Sequence, residues 1–197
     1  MYRQGVKSRV ATAIAAALLG GAAGCTQPQL PAVNPEQASI DRGAYLATVA
    51  SCGDCHTPKV FSDTGPAPDK ARLLSGHRAD QSTPEVPEGV IAPNKWGALT
   101  TGDLTVWAGP WGISYAANLT PDASGLAEWT ADTFIQAMRT GKHAGTGRPI
   151  LPPMPWQEYA KMTDDDLRAI FAYLKSIPPI SNVVPQPIPP PSADSPG

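Results

Sequence analysis

The chain has no surplus of positive charge: 15 Lys and Arg stand against 17 Asp and Glu, a formal net charge of −2. That balance lacks the basic patch that phosphate backbones require, so nucleic acid is not an expected partner. It also lacks an apolar run long enough to cross a bilayer. The longest, from Val10 to Leu19, falls well short of the roughly 20 residues a spanning helix needs. Histidine and cysteine are scarce, three of each, and His77 and His143 are isolated, so a zinc site with four closely spaced ligands is not in view. Only 16% of residues are charged, whereas Pro (23) and Gly (18) are abundant. Such a composition in 197 residues indicates one small helical core carrying long irregular loops.

The scarce residues are concentrated. Two of the three cysteines and one histidine fall in Cys52-Gly-Asp-Cys-His56. In a helical turn, residues three apart share a face, so both sulfurs are presented to one flat object while His56 turns toward its centre. C-x-x-C-H is the attachment signature of haem c, in which the thiols form thioethers and the histidine ligates iron. A thioredoxin-like dithiol also uses C-x-x-C but belongs in a strand-helix-strand context. Here Arg42 to Ala50, immediately upstream, has a helical pattern.

The N-terminus has the order of an export signal over residues 1–24. Arg3, Lys7 and Arg9 precede the short apolar run, and Gly20-Gly-Ala-Ala-Gly24 supplies small residues before Cys25. Ala22-Ala-Gly-Cys25 resembles the processing site of bacterial lipoproteins. The resemblance implies acylation of Cys25 and a mature chain tethered to the periplasmic side of a bacterial membrane. Loss of three basic residues and no acidic one makes that mature chain more acidic. Residues 25–36 are expected to be a Pro-rich tether, 37–179 the folded monohaem domain, and 180–197 a Pro-rich disordered tail.

Within the domain, apolar and small residues at Ile40, Ala44, Ala47 and Ala50 predict a first helix from about Glu36 to Ser51 that delivers the C-x-x-C-H motif at its end. Gly43 inside it implies close approach of another helix, naturally the last. Thr130 to Thr140 is expected as a middle helix, capped by Thr130 and stopped by Gly141. Thr163-Asp-Asp-Asp166 opens a final helix through Leu174 to Ser176. Thr57 to Ala117 shows little periodicity beyond a weak strand signal at Leu104-Thr-Val-Trp107. It reads as an insertion wrapping one haem edge, with His77 a surface loop histidine.

Helix, C-x-x-C-H, long loops, a methionine in a Pro-rich loop and a final amphipathic helix together look like a class I cytochrome c. Asn118-Leu-Thr-Pro-Asp122, Gly125-Leu-Ala-Glu-Trp129, Arg139-Thr-Gly141, Pro152-Pro-Met-Pro155 and Ala172 through Pro179 more closely resemble the cytochrome c domains in subunits of membrane-bound alcohol, aldehyde and gluconate dehydrogenases. The resemblance covers roughly Ala38 to Pro179. It implies an all-α fold and makes Met154 the distal iron ligand opposite His56. A thioether on a proline-stiffened loop is held with little ordering entropy, which agrees. His77 or His143 would instead give bis-histidine ligation, and Met138 and Met162 are expected to be packing residues.

Arg148 is a candidate partner for a haem propionate, and Trp129 and Trp156 are candidate walls of the haem edge. The resemblance implies an electron carrier passing electrons to or from a membrane-bound dehydrogenase or a terminal oxidase. The competing expectation is a haem enzyme or gas or redox sensor whose distal position opens.

Overall fold

The computed structural model describes residues 34–190; Cys25 and the expected export signal lie outside them. Helix α1 (Pro35–Val49) starts where Asn34 accepts a hydrogen bond from the Glu36 amide at 3.0 Å, with proline in the first turn, an arrangement suited to the unpaired donors there. It buries Gly43, Leu46 and Ala47. The chain then turns at Ser51, whose φ of +56° is left-handed, before a separate short helix α2 (Cys52–His56). The motif therefore sits on its own helical turn, set off from α1.

Two further long helices begin and end as their caps dictate. In α3 (Ala131–Thr140) the Thr130 side chain accepts from the Thr133 amide, and Gly141 closes the helix at φ +65°, a conformation glycine adopts without a Cβ clash. In α5 (Asp164–Ser176) Thr163 accepts from the Asp166 amide, and three aspartates occupy the first turn, where the helix dipole favours negative charge. A short helix α4 (Trp156–Tyr159) lies between them. Helices α1 and α5 cross at Gly43, where a Cβ would run into the carbonyl of Ala169 and the Cβ of Tyr173. Leu46, Phe134, Ile135, Met138, Leu167 and Leu174 form the centre of the apolar core. No helix among the described residues is long and apolar enough to cross a membrane.

The expected all-α fold is corrected by the insertion, which carries two small antiparallel sheets among its loops. Strands β1 (Lys59–Ser62) and β2 (Gly65–Pro68) form an antiparallel hairpin. Strands β3 (Leu99–Thr100), β4 (Val106–Gly109) and β5 (Gly112–Tyr115) form a second antiparallel sheet in the order β3-β4-β5. Pro110-Trp111 joins β4 to β5, with Gly109 opposite Gly112 and Gly112 at φ +94°. The physical reason is backbone satisfaction. A chain rich in Pro and Gly cannot coil into helix, and its buried N–H and C=O groups pair in short ladders instead. Alternate positions of β4 and β5 are buried: Val106, Ala108, Gly112 and Ser114.

His77 is not at the surface. It is fully buried, its Nδ1 lies 2.8 Å from the Thr105 hydroxyl, and its ring packs against Tyr115 with centroids 5.1 Å apart. Of the tail expected to be disordered, 180–190 are described and held in place, while 191–197 lie outside the described residues. Asn182 is buried, donates to the carbonyls of Ser75 (2.7 Å) and His77 (2.8 Å), and accepts from the Ala79 amide at 2.9 Å. Ile188 then pairs with Ile113 of β5 through reciprocal backbone bonds of 2.8 and 3.0 Å. Proline keeps residues 181–190 extended, and these anchors hold them.

Candidate functional site

A cavity of about 360 Å³ lies between the helices and the insertion, bordered by Cys52, Cys55, His56, His143, Arg148 and Met154. Residues from across the chain thus meet at one place. The α2 turn puts Cys52 and Cys55 three residues apart with free thiols. Burial pushes the Cys52 thiol up to about 11 and raises that of Cys55 as well, so both are protonated thiols at neutral pH.

His56 is fixed by its second nitrogen. Its Nδ1 lies 2.8 Å from the carbonyl oxygen of Ala117. A carbonyl only accepts, so Nδ1 carries the proton and Nε2 keeps its lone pair. Burial lowers the His56 pKa, against a smaller opposing effect of that carbonyl, which keeps the ring neutral. A metal-ligating histidine needs this combination of neutral ring, fixed tautomer and oriented Nδ1–H. The donor set suits haem iron: two thiols one turn apart, an imidazole with Nε2 available, and thioethers on the cavity wall.

Met138, Met154 and Met162 all border the cavity. Met138 is 7% exposed and part of the core of α3. The Met162 carbonyl, next to the α5 cap, accepts from Arg139 at 2.8 Å. Met154 is half-buried on the loop between α3 and α4. His143 borders the cavity from a 3-10 turn and meets Trp129 edge-on at 5.1 Å. Arg148 is exposed at the rim, its guanidinium donating to the Pro149 carbonyl at 3.3 Å. His77 is not among the cavity residues. Trp129 borders the cavity, whereas Trp156 packs its ring over Gly141.

Several bordering groups carry no sequence signal. Tyr159 donates its hydroxyl to the Ala50 carbonyl at 2.7 Å, tying α4 to the end of α1; burial pushes its pKa up to about 12. Trp107 and Ser114 come from the β-sheet, and Val183 to Pro187 cross the cavity between the Asn182 and Ile188 anchors. The weak strand signal at Leu104-Thr-Val-Trp107, which overlaps β4, was the available hint of the sheet's contribution.

With this geometry in place, comparison with known proteins identifies the resemblance. The chain is 28% identical over 159 residues to the fructose dehydrogenase cytochrome subunit of Gluconobacter japonicus, covering 80% of this chain and 25% of that protein. It is 28% identical over 143 residues to the cytochrome c subunit of the quinone alcohol dehydrogenase of Gluconobacter oxydans (72% and 22% covered). It is also 28% identical over 137 residues to the gluconate 2-dehydrogenase cytochrome c subunit of Pantoea cypripedii (69% and 22%). The likeness to cytochrome c subunits of dehydrogenases, expected from the sequence, therefore holds. The chain spans about a quarter of the length of these curated relatives. No family model matches it.

Proposed function

We propose that the protein is an electron-transfer cytochrome carrying a single haem c, held through Cys52 and Cys55 and ligated by His56 and Met154. The observation that carries this reading is the meeting of two thiols, a tautomer-fixed imidazole and a loop methionine at one apolar cavity. Haem iron supplies the one-electron chemistry, and methionine-histidine ligation favours the ferrous form.

The chain's own residues bind, orient and shield. Cys52 and Cys55, on one helical turn, would hold the cofactor covalently whatever the state of Met154. The Ala117 carbonyl sets the His56 ring. Leu126, Phe134 and Leu174 line the cavity with hydrocarbon and exclude water. Arg148 at the rim is the candidate partner for a propionate carboxylate. With His56 and Met154 both holding its iron, a bound haem would serve to relay electrons. By analogy with the relatives, a dehydrogenase subunit is its proposed redox partner, with a terminal oxidase as the other candidate. Acylation at Cys25 on the periplasmic side of the membrane is the proposed tether, and mass spectrometry of the N-terminal peptide tests it.

The ferric optical spectrum tests the ligand set. Met154→Ala is expected to keep covalent haem, lose the methionine-sulfur band at the red end and lower the potential. Met138→Ala should keep the band and lose roughly 2 to 5 kcal/mol of stability, since it opens a hole in the core. A low-spin spectrum and potential that Met154→Ala keeps and His143→Ala loses would overturn the assignment. A high-spin ferric spectrum of the unaltered protein would favour an enzyme or sensor with an open distal position.

A further inference from the structure

We propose that Ser114 of β5 is a positioning residue for Met154, and that the insertion serves as a bracket gripping both axial sides of the site. The inference rests on the reading of Met154 as the distal ligand. The loop 151–155 contains three prolines, Pro152, Pro153 and Pro155, none with an N–H to anchor it. Its backbone bonds run within the loop and into α4: the Met154 amide to Leu151 at 3.3 Å, and the Trp156 amide to the Met154 carbonyl at 2.9 Å. Among the described residues, the hydrogen bond tying 151–155 to a distant part of the chain runs from the Ser114 hydroxyl to the Pro152 carbonyl, at 2.6 Å.

The direction of that bond is settled by its neighbours. The Trp111 indole N–H donates to the Ser114 oxygen at 3.2 Å, and the Pro152 carbonyl only accepts. The serine proton therefore goes to Pro152, since the alternative acceptor, the Trp107 carbonyl, is 3.5 Å away. Ser114 is 7% exposed, so water competes little for this bond. Three residues further on, Ala117 holds the His56 imidazole at 2.8 Å. The segment between is itself clamped: the Ala116 amide donates to Thr105 at 2.9 Å, and its carbonyl accepts from the His77 amide at 2.8 Å. One extended stretch of four residues thus holds the histidine side with a backbone carbonyl and the methionine loop with a hydroxyl. Rigidity in the bracket becomes a fixed separation of the two ligand-bearing segments.

The test uses the full-length haem-loaded protein and its Ser114→Ala, Ser114→Thr and Met154→Ala variants, titrated with imidazole in the ferric state. Ser114→Ala is expected to retain haem but to exchange its methionine-sulfur band for the imidazole complex at about fivefold lower concentration, as loss of one ordinary hydrogen bond implies. Ser114→Thr, which keeps the hydroxyl, should restore the parent midpoint. A merely structural serine would lower the urea midpoint of Ser114→Ala without moving the imidazole midpoint, and that result overturns the proposal. If Ser114→Ala does not accumulate folded, Ser114→Cys, similar in size but a weak donor, is read the same way. A methionine band that survives in Met154→Ala refutes the ligand assignment instead, so the two failures are distinct.

Discussion

His77 carries its ring proton on Nδ1 because Thr105 gives its own hydroxyl proton to Asp103, at 2.9 Å, and can only accept from the imidazole. Burial would push the Asp103 carboxyl up, but the Thr101 hydroxyl and the amide and hydroxyl of Thr105 outweigh it and hold the pKa below the usual carboxylate range. On His77 burial dominates and lowers the pKa below 6.5, despite the nearby Asp103. The unfolded chain therefore takes up a proton on this residue at a higher pH than the native protein does. Its contribution to stability is complete above about pH 6.5 and declines as pH falls below that toward the lower native value. Urea midpoints between pH 7.5 and 5.5 should fall less steeply for His77→Gln than for the parent; equal slopes would contradict the buried neutral imidazole.

At the scale of elements, contacts decide against propensity. Gly43→Ala improves intrinsic helix propensity by about 1 kcal/mol, yet the new methyl meets the Ala169 backbone of α5, which cannot swing aside. Overpacking of this kind costs roughly 1 to 3 kcal/mol, so the variant should unfold at lower urea than the parent. A higher midpoint would show that α1 and α5 separate freely. The 182–188 strap makes a second test. Asn182→Ala leaves the buried carbonyls of Ser75 and His77 and the Ala79 amide without their partner. The expected loss is about 1 to 3 kcal/mol, together with faster proteolytic cleavage in 183–187; unchanged cleavage would mean the strap is held elsewhere.

Over the whole molecule, what was legible in the sequence was local. Thr130 and Gly141 bound α3, Thr163 starts α5, and Gly43 announces a helix crossing, because each signal acts within a turn or states a steric need. C-x-x-C-H is of the same kind. The insertion was opaque because its strands are two to four residues long, too short for a period, and because its meaning lies in distant pairs. Ser114 and Pro152 are 38 positions apart, His77 and Asn182 are 105 apart, and a serine or asparagine alone predicts neither. The all-α expectation failed there, whereas Cys52, Cys55, His56, Arg148 and Met154, each singled out by a local pattern, border one cavity to which Ser114, Tyr159 and Val183 to Pro187 also contribute.

Electron transfer at this site requires one covalently held haem. The mass of the purified protein after acid-acetone extraction measures this directly. It should exceed that of the processed polypeptide, with any lipid counted, by one haem, and a Cys52→Ala, Cys55→Ala double variant should show no such increment. A polypeptide that emerges without the added mass, or a double variant that retains it, would contradict the assignment of Cys52 and Cys55 as the attachment site.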